Sequence, residues 1–235
     1  MRAFGRGTPS LPDHTQEGPV AQIFPSSFDG IVRAVAVLVG PLVLCSVVGA
    51  LWYWGSPKYT DVGYQPTQPV PFSHKLHAGE MGMDCRYCHN TVEISSQASI
   101  PSTETCMNCH KIVKADSEAL APVRDSYAND TPVRWVRVHM LPDHAYFDHS
   151  VHVAAGVGCA SCHGRIDEME VVFQHEPLSM GWCLDCHRDP TPNLRPPDEV
   201  TNMAYDPQTA GYDPGADASR TRQVDPPKHC SGCHR

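Results

Sequence analysis

One uninterrupted apolar run dominates the hydropathy pattern. Residues 31–54, IVRAVAVLVGPLVLCSVVGALWYW, carry no charged side chain in the 21 positions from Ala34 onward. As a helix, that length crosses the hydrocarbon core of a bilayer. Arg33 sits where it can snorkel to the interface, and Trp52, Tyr53 and Trp54 cluster at the far end as an interfacial belt. Pro41 is tolerable in a membrane helix packed on neighbours. A cleaved leader is the competing reading, but the run is long for one, no small-residue cleavage site follows it, and no positive leader directly precedes it. The pattern therefore predicts an uncleaved transmembrane helix, with Cys45 as a small residue within it. Elsewhere apolar periodicity is weak. Residues 1–30, rich in Pro, Gly and Ser, read as a loose arm, and residues 55–71, GSPKYTDVGYQPTQPVP, as an extended linker. WVRVHML, at 135–141, alternates as a short strand would. Residues 191–227 lack any apolar period and predict a surface wrap.

Composition explains why so little regular structure is visible. Only 19% of the 235 residues are charged, while 22 are proline and 17 glycine. Such a chain needs an apolar core from something other than long amphipathic elements. The formal net charge of −8 gives no reason to expect nucleic acid as a partner and favours a basic face on any protein partner.

That core is supplied by the cysteines. CRYCH at Cys85 to His89, CMNCH at Cys106 to His110, CASCH at Cys159 to His163, CLDCH at Cys183 to His187 and CSGCH at Cys230 to His234 use ten of the eleven cysteines. Each is the c-type haem attachment pattern: Cys85, Cys88, Cys106, Cys109, Cys159, Cys162, Cys183, Cys186, Cys230 and Cys233 add to haem vinyl groups. His89, His110, His163, His187 and His234 are carried beneath the iron as proximal ligands. Zinc ribbons would account for the first four CxxC pairs but leave the fifth unpaired, and they require no histidine behind each second cysteine. A disulfide scheme leaves the histidines unexplained. The expectation is five covalent haem c groups and no zinc. Covalent haem is attached outside the cytoplasmic membrane, so residues after Trp54 are expected on the periplasmic side and residues 1–30 in the cytoplasm. Charge decides this less well, because Arg2, Arg6 and Arg33 barely outnumber Lys58 and Lys75.

An internal repeat organises the exported part. FSHKLHAGEMGMDCRYCH at 72–89 and FDHSVHVAAGVGCASCH at 147–163 share a Phe-x-His-x-x-His element, the second spacer being one residue shorter. Each copy is followed by a further motif, which divides residues 72–235 into modules at about 72–146 and 147–235. Histidines three apart on one helical turn reach irons on either side of it. The predicted fold class is mainly α with much irregular structure wrapped around a haem core, plus one N-terminal transmembrane helix.

In these elements the chain resembles the class III multihaem cytochromes c. That resemblance implies His74 as distal ligand to the iron of His89 and His149 to that of His163, with His77 and His152 reaching other haems. With the anchor, the five motifs and the segments WVRVHMLPDH and LSMGWCLDCHR, the resemblance extends from Gln22 onward to the pentahaem subunit of alternative complex III. It implies an iron–sulfur subunit, polytopic quinol-binding membrane subunits and a monohaem cytochrome c as partners. Of fourteen histidines, five are proximal and His14 precedes the anchor; His74, His77, His139, His149 and His152 form the preferred distal set. His144, His175 and His229 read as surface or hydrogen-bonding histidines. Met180 is a further candidate, because His/Met ligation raises a haem's potential. Enough ligands to close every iron favour electron transfer over catalysis. Direct quinol oxidation by this chain is the alternative, opposed by a linker between anchor and haems and by the lack of an ionisable group within the apolar run. A tethered multihaem reductase is the other, and it needs an open iron.

Overall fold

The computed structural model describes residues 23–214, 216 and 224–234. Most of the predicted cytoplasmic arm, with Arg2, Arg6 and His14, lies outside the described residues. The chain divides into two units, residues 1–52 and 53–235. In the first, the apolar run is a single helix, α1 (Ser26–Trp54), with Asp29 in its first turn, where a carboxylate complements the helix dipole. Its stretch Ser27–Trp54, of mean hydropathy 2.5, is the one helix among the described residues long and apolar enough to cross a membrane.

The second unit is built from short helices and irregular chain. It contains α2 (Pro57–Thr60), a π-helical turn (Lys75–Glu80), α3 (Cys85–Cys88), α4 (Thr103–His110), α5 (Ala121–Asn129), α6 (His149–Ala155), α7 (Ala160–His163), α8 (Met180–Arg188) and α9 (Pro207–Ala210). Local signals set these bounds. The Asp84 carboxylate accepts the Arg86 N–H, that of Asp148 accepts the Ser150 N–H, and the Ser179 hydroxyl accepts the Trp182 N–H, so α3, α6 and α8 each start on a side-chain cap. Gly156, at φ 85°, ends α6 in the left-handed region that glycine adopts without a Cβ penalty. The repeat is visible in the fold, with one difference: the second copy makes an α-helix and the first a π-turn. The extra residue in the first spacer fits the wider π geometry, which takes up one more residue per turn.

Among the described residues no strand forms, contrary to the alternation of WVRVHML. The segment stays extended, but it pairs with a side chain instead of a strand. The Gln68 amide donates to the Val136 carbonyl at 2.8 Å, and its oxygen accepts the Val136 N–H at 2.9 Å. Val133 and Trp135 turn inward onto the small cluster of Val70, Met107 and Val123, where α4 meets α5. Residues 55–71 are also tied down. Gly63 donates its N–H to the Gln174 carbonyl (2.8 Å), Gln174 donates to that of Tyr64 (3.0 Å), and Val70 is buried.

The stretch expected to wrap the surface, 191–227, instead begins in the interior. Leu194, Arg195, Val200 and Met203 are all buried. Isolated apolar residues inserted between the cysteine motifs need no periodicity, and so the pattern gave no sign of them. Among the described residues only Val70, Met107, Val123, Met169, Leu194, Val200 and Met203 are fully buried apolar side chains. That is a thin core for a unit of this length, and flat macrocycles at the motifs would complete it.

Candidate haem-binding site

Each cysteine motif occupies about one helical turn, which places both thiols and the following imidazole on one side of it. The backbone N–H of His89 donates to the Cys85 carbonyl at 2.8 Å, that of His163 to Cys159 at 3.0 Å, and that of His234 to Cys230 at 2.9 Å. His110 and His187 lie within α4 and α8. Among the described residues no two of the ten cysteines form a disulfide. Burial first, then the nearby Cys186, Cys183 and Glu176, pushes the Cys162 thiol up to about 12. Cys45 lies in α1.

The imidazoles are held in a consistent way. Nδ1–H of His89 donates to the Ser99 carbonyl (2.6 Å), of His110 to Val113 (2.9 Å), of His187 to Pro227 (2.8 Å) and of His234 to His144 (2.9 Å). Three histidines of the repeat do the same: His77 to the Ser73 carbonyl (2.8 Å), His149 to Ser96 (2.8 Å) and His152 to Asp148 (2.7 Å). A hydrogen bond at Nδ1 fixes the tautomer whose Nε2 lone pair is available to a metal. Phenylalanine sets the ring angles: Phe72 stacks on His77 and meets His74 edge-on, and Phe147 does the same with His152 and His149.

Ring-to-ring distances then discriminate among the histidines. A ring nitrogen lies about 2 Å from a first-row metal and about 1.1 Å from its own ring centre, so imidazoles on opposite faces of one iron have centres about 6 Å apart. His77 and His110 are 6.3 Å apart, His149 and His163 6.5 Å, and His152 and His187 6.1 Å. Each pair joins a repeat histidine to a motif histidine, and the helix-neighbours His149 and His152 face different motifs. Burial, reinforced by the facing His187 ring, lowers the pKa of His152; burial holds His163 down at about 3, with the His139 and His149 rings adding to it. Both shifts favour the neutral imidazole, the form that binds a metal.

The remaining candidates are placed differently. His74 is half-buried; burial first, then the His89 ring, holds it at about 4, and its Nδ1 is buried without a hydrogen-bond partner. His139 approaches His163 too closely for an intervening iron: the ring centres are 4.4 Å apart, with His163 Nδ1 at 3.3 Å from His139 Nε2. His144 has its ring centre 5.5 Å from that of His234, near the separation for a shared iron. Its backbone carbonyl accepts the His234 Nδ1–H at 2.9 Å. His175 pairs with Glu176 at 3.0 Å and packs against Gly164, and His229 pairs with Ser231 at 3.1 Å. Met180 opens α8 and is 65% exposed.

The donor set fits haem c: paired thiols beside an imidazole of fixed tautomer, three times facing a second imidazole across one iron's width. The comparisons fall on the same residues. A family model for cytochrome c7 and related cytochrome c matches residues 70–125 and 145–235, leaving out the segment that holds His139 and His144. The multihaem cytochrome c subunit of menaquinone reductase from Nitratidesulfovibrio vulgaris (strain Hildenborough) is 29% identical over 171 residues, 72% of each chain. With the match spanning every one of the cysteine motifs, the chain belongs to the family of cytochrome c7 and related cytochromes c.

Proposed function

We propose that this chain is a membrane-anchored pentahaem electron relay: the subunit that carries electrons through five c-type haems between a quinone-reacting complex and an external carrier such as a cytochrome c or copper protein. The observation that carries the reading is the set of three imidazole pairs at 6.1–6.5 Å, because an iron closed on both faces exchanges electrons and leaves no position for substrate. By the symmetry of the two modules, His77 serves the iron of His110, His149 that of His163 and His152 that of His187, while His74 serves that of His89. His139 orders the ring of His163 from its Nδ1 side. For the iron of His234, neither repeat offers a histidine, and Met180, one turn ahead of Cys183, is the ligand we assign. Haem, when bound, supplies the reversible one-electron chemistry. The protein fixes the imidazole tautomers through backbone carbonyls, excludes water with Phe72 and Phe147, and attaches each group through two thioethers.

The partners in this reading are those of alternative complex III: an iron–sulfur subunit, polytopic quinol-binding subunits and a monohaem cytochrome c, with α1 as the anchor and the haem unit on the periplasmic side. A second reading follows from the relative's name, since in a menaquinone reductase electrons run toward the quinone. Purifying the tagged chain from its native membrane with its neighbouring subunits tests both. Quinol oxidation coupled to reduction of an external carrier is the expected result; quinone reduction alone reverses the direction. Carbon monoxide binding to most of the reduced haems would overturn the relay reading in either direction.

A further inference from the structure

We propose that the five haem attachment sites form a wire whose spatial order differs from the order of the chain: Cys106–His110, Cys85–His89, Cys159–His163, Cys183–His187, Cys230–His234. Its two ends, at 106–110 and 230–234, are then where electrons enter from and leave to external one-electron carriers. The order rests on the reading that each motif holds a haem, and four local contacts carry it.

The first and second motifs touch through the residues between their cysteines, where the Asn108 amide donates to the Tyr87 hydroxyl at 3.3 Å. The next link spans 70 positions of chain, from His89 to Cys159, and joins the modules. Cys159 donates its N–H to the Val200 carbonyl at 3.1 Å, while the adjacent Thr201 hydroxyl donates to Asp84, the cap of the Cys85 helix, at 3.0 Å. The loop 96–99 binds both sides of this junction: Ser99 holds His89, and Ser96 holds His149, which faces His163.

Asn193 makes the third link. Its carbonyl accepts the Gly158 N–H at 3.2 Å, beside Cys159, and its side-chain amide reaches the Cys186 sulfur at 3.5 Å. Pro227 makes the fourth, its carbonyl accepting His187 Nδ1–H at 2.8 Å. Its ring lies so close to Gly232, between Cys230 and Cys233, that a Cβ there would meet it at 2.6 Å. One residue thus separates neighbouring sites at each of these last two links. The other route to the fifth motif, from His139 at His163 to His144 at His234, needs a run of six residues.

Each transfer moves one electron, oxidising the ferrous iron of one haem and reducing the ferric iron of the next, with no bond made or broken. Tunnelling falls off steeply with the gap, so spatial order and not chain order sets the path.

The test is an electron cryo-microscopy structure of the haem-loaded complex. The four shortest iron–iron gaps are expected between the haems of His110 and His89, His89 and His163, His163 and His187, and His187 and His234. A His110 iron nearer to His163 than to His89, or a His234 iron nearer to His163 than to His187, overturns the order. Kinetics supply the second arm. In a Cys85→Ala/Cys88→Ala variant the missing haem breaks the wire next to its end, so the His110 haem should equilibrate with the other three roughly tenfold more slowly or worse. Relaxation of all four remaining haems as one pool would contradict it. A chain that binds fewer than five haems in the parent complex defeats the functional reading itself, whereas five haems in another order defeat only this inference.

Discussion

At the scale of single residues, the structure separates histidines that the sequence could only count. In the proposed reading His77 and His152 each lie three residues from a histidine assigned to a different motif. His77→Ala should therefore open the haem of His110 and leave that of His89 low-spin, which electron paramagnetic resonance and carbon monoxide binding will register. A change confined to the His89 haem would refute the pairing. His139 illustrates the opposite case: its ring lies within contact of that of His163, and the proposed reading gives it the part of a hydrogen-bond partner. His139→Leu should keep the His163 haem six-coordinate while shifting its potential by an amount worth one hydrogen bond, about 1 kcal/mol or about 40 mV for a one-electron couple. Appearance of a high-spin haem in that variant would restore His139 as a ligand. Met180→Leu should open the His234 haem to carbon monoxide and lower its potential; an unchanged redox titration would remove Met180 from the ligand set.

Most elements of the second unit are short, and α3, α4, α6, α7 and α8 each present cysteines or histidines of the motifs. Their stability depends on caps and close approaches more than on propensity. Isolated helices of one or two turns are marginal in water. The π-turn Lys75–Glu80 is held against its neighbour at Gly79, where a Cβ would run into the backbone carbonyl of Asp167. Backbone cannot swing aside as a side chain can. Gly79→Ala should cost about 2 kcal/mol or more and displace His77, seen as a lower midpoint in thermal unfolding together with a disturbed His110 haem. A neutral effect on both would show that the turn is free to move. The absent strand at 135–141 belongs to this scale as well. Alternation is a statement about which side chains face inward, and Val133 and Trp135 do so; a ladder also needs a second strand, and Gln68 offers only one amide.

For the whole molecule, haem is the missing part of the hydrophobic core. The described chain buries few apolar side chains of its own, so loading and folding should be one event. The denatured mass of the mature chain should exceed that of the polypeptide by five haems; a smaller gain would leave a motif without its group. Expression without the haem-attachment machinery should yield a chain that lacks a cooperative unfolding transition. A sharp transition in that material would show that the side chains suffice as a core.

What the sequence determined by itself is everything that closes within one turn of chain. Two thiols and an imidazole at CxxCH spacing must share a face, a Phe-x-His-x-x-His element must present two rings three residues apart, and 21 uncharged positions must make a helix of membrane length. Those constraints are local, so spacing alone expresses them. The tertiary structure decided which histidine faces which motif. His77 and His110 are 33 positions apart in sequence and His152 and His187 are 35, and closing such loops leaves no periodic trace. It also decided that the His139 ring and the His144 carbonyl meet the Nδ1 atoms of His163 and His234, contacts that residue identity cannot encode. The junction of the first and third motifs through Val200 and Thr201 is of the same kind. Single residues far along the chain set the neighbours of each site, because contact in space depends on the packing of all the segments together.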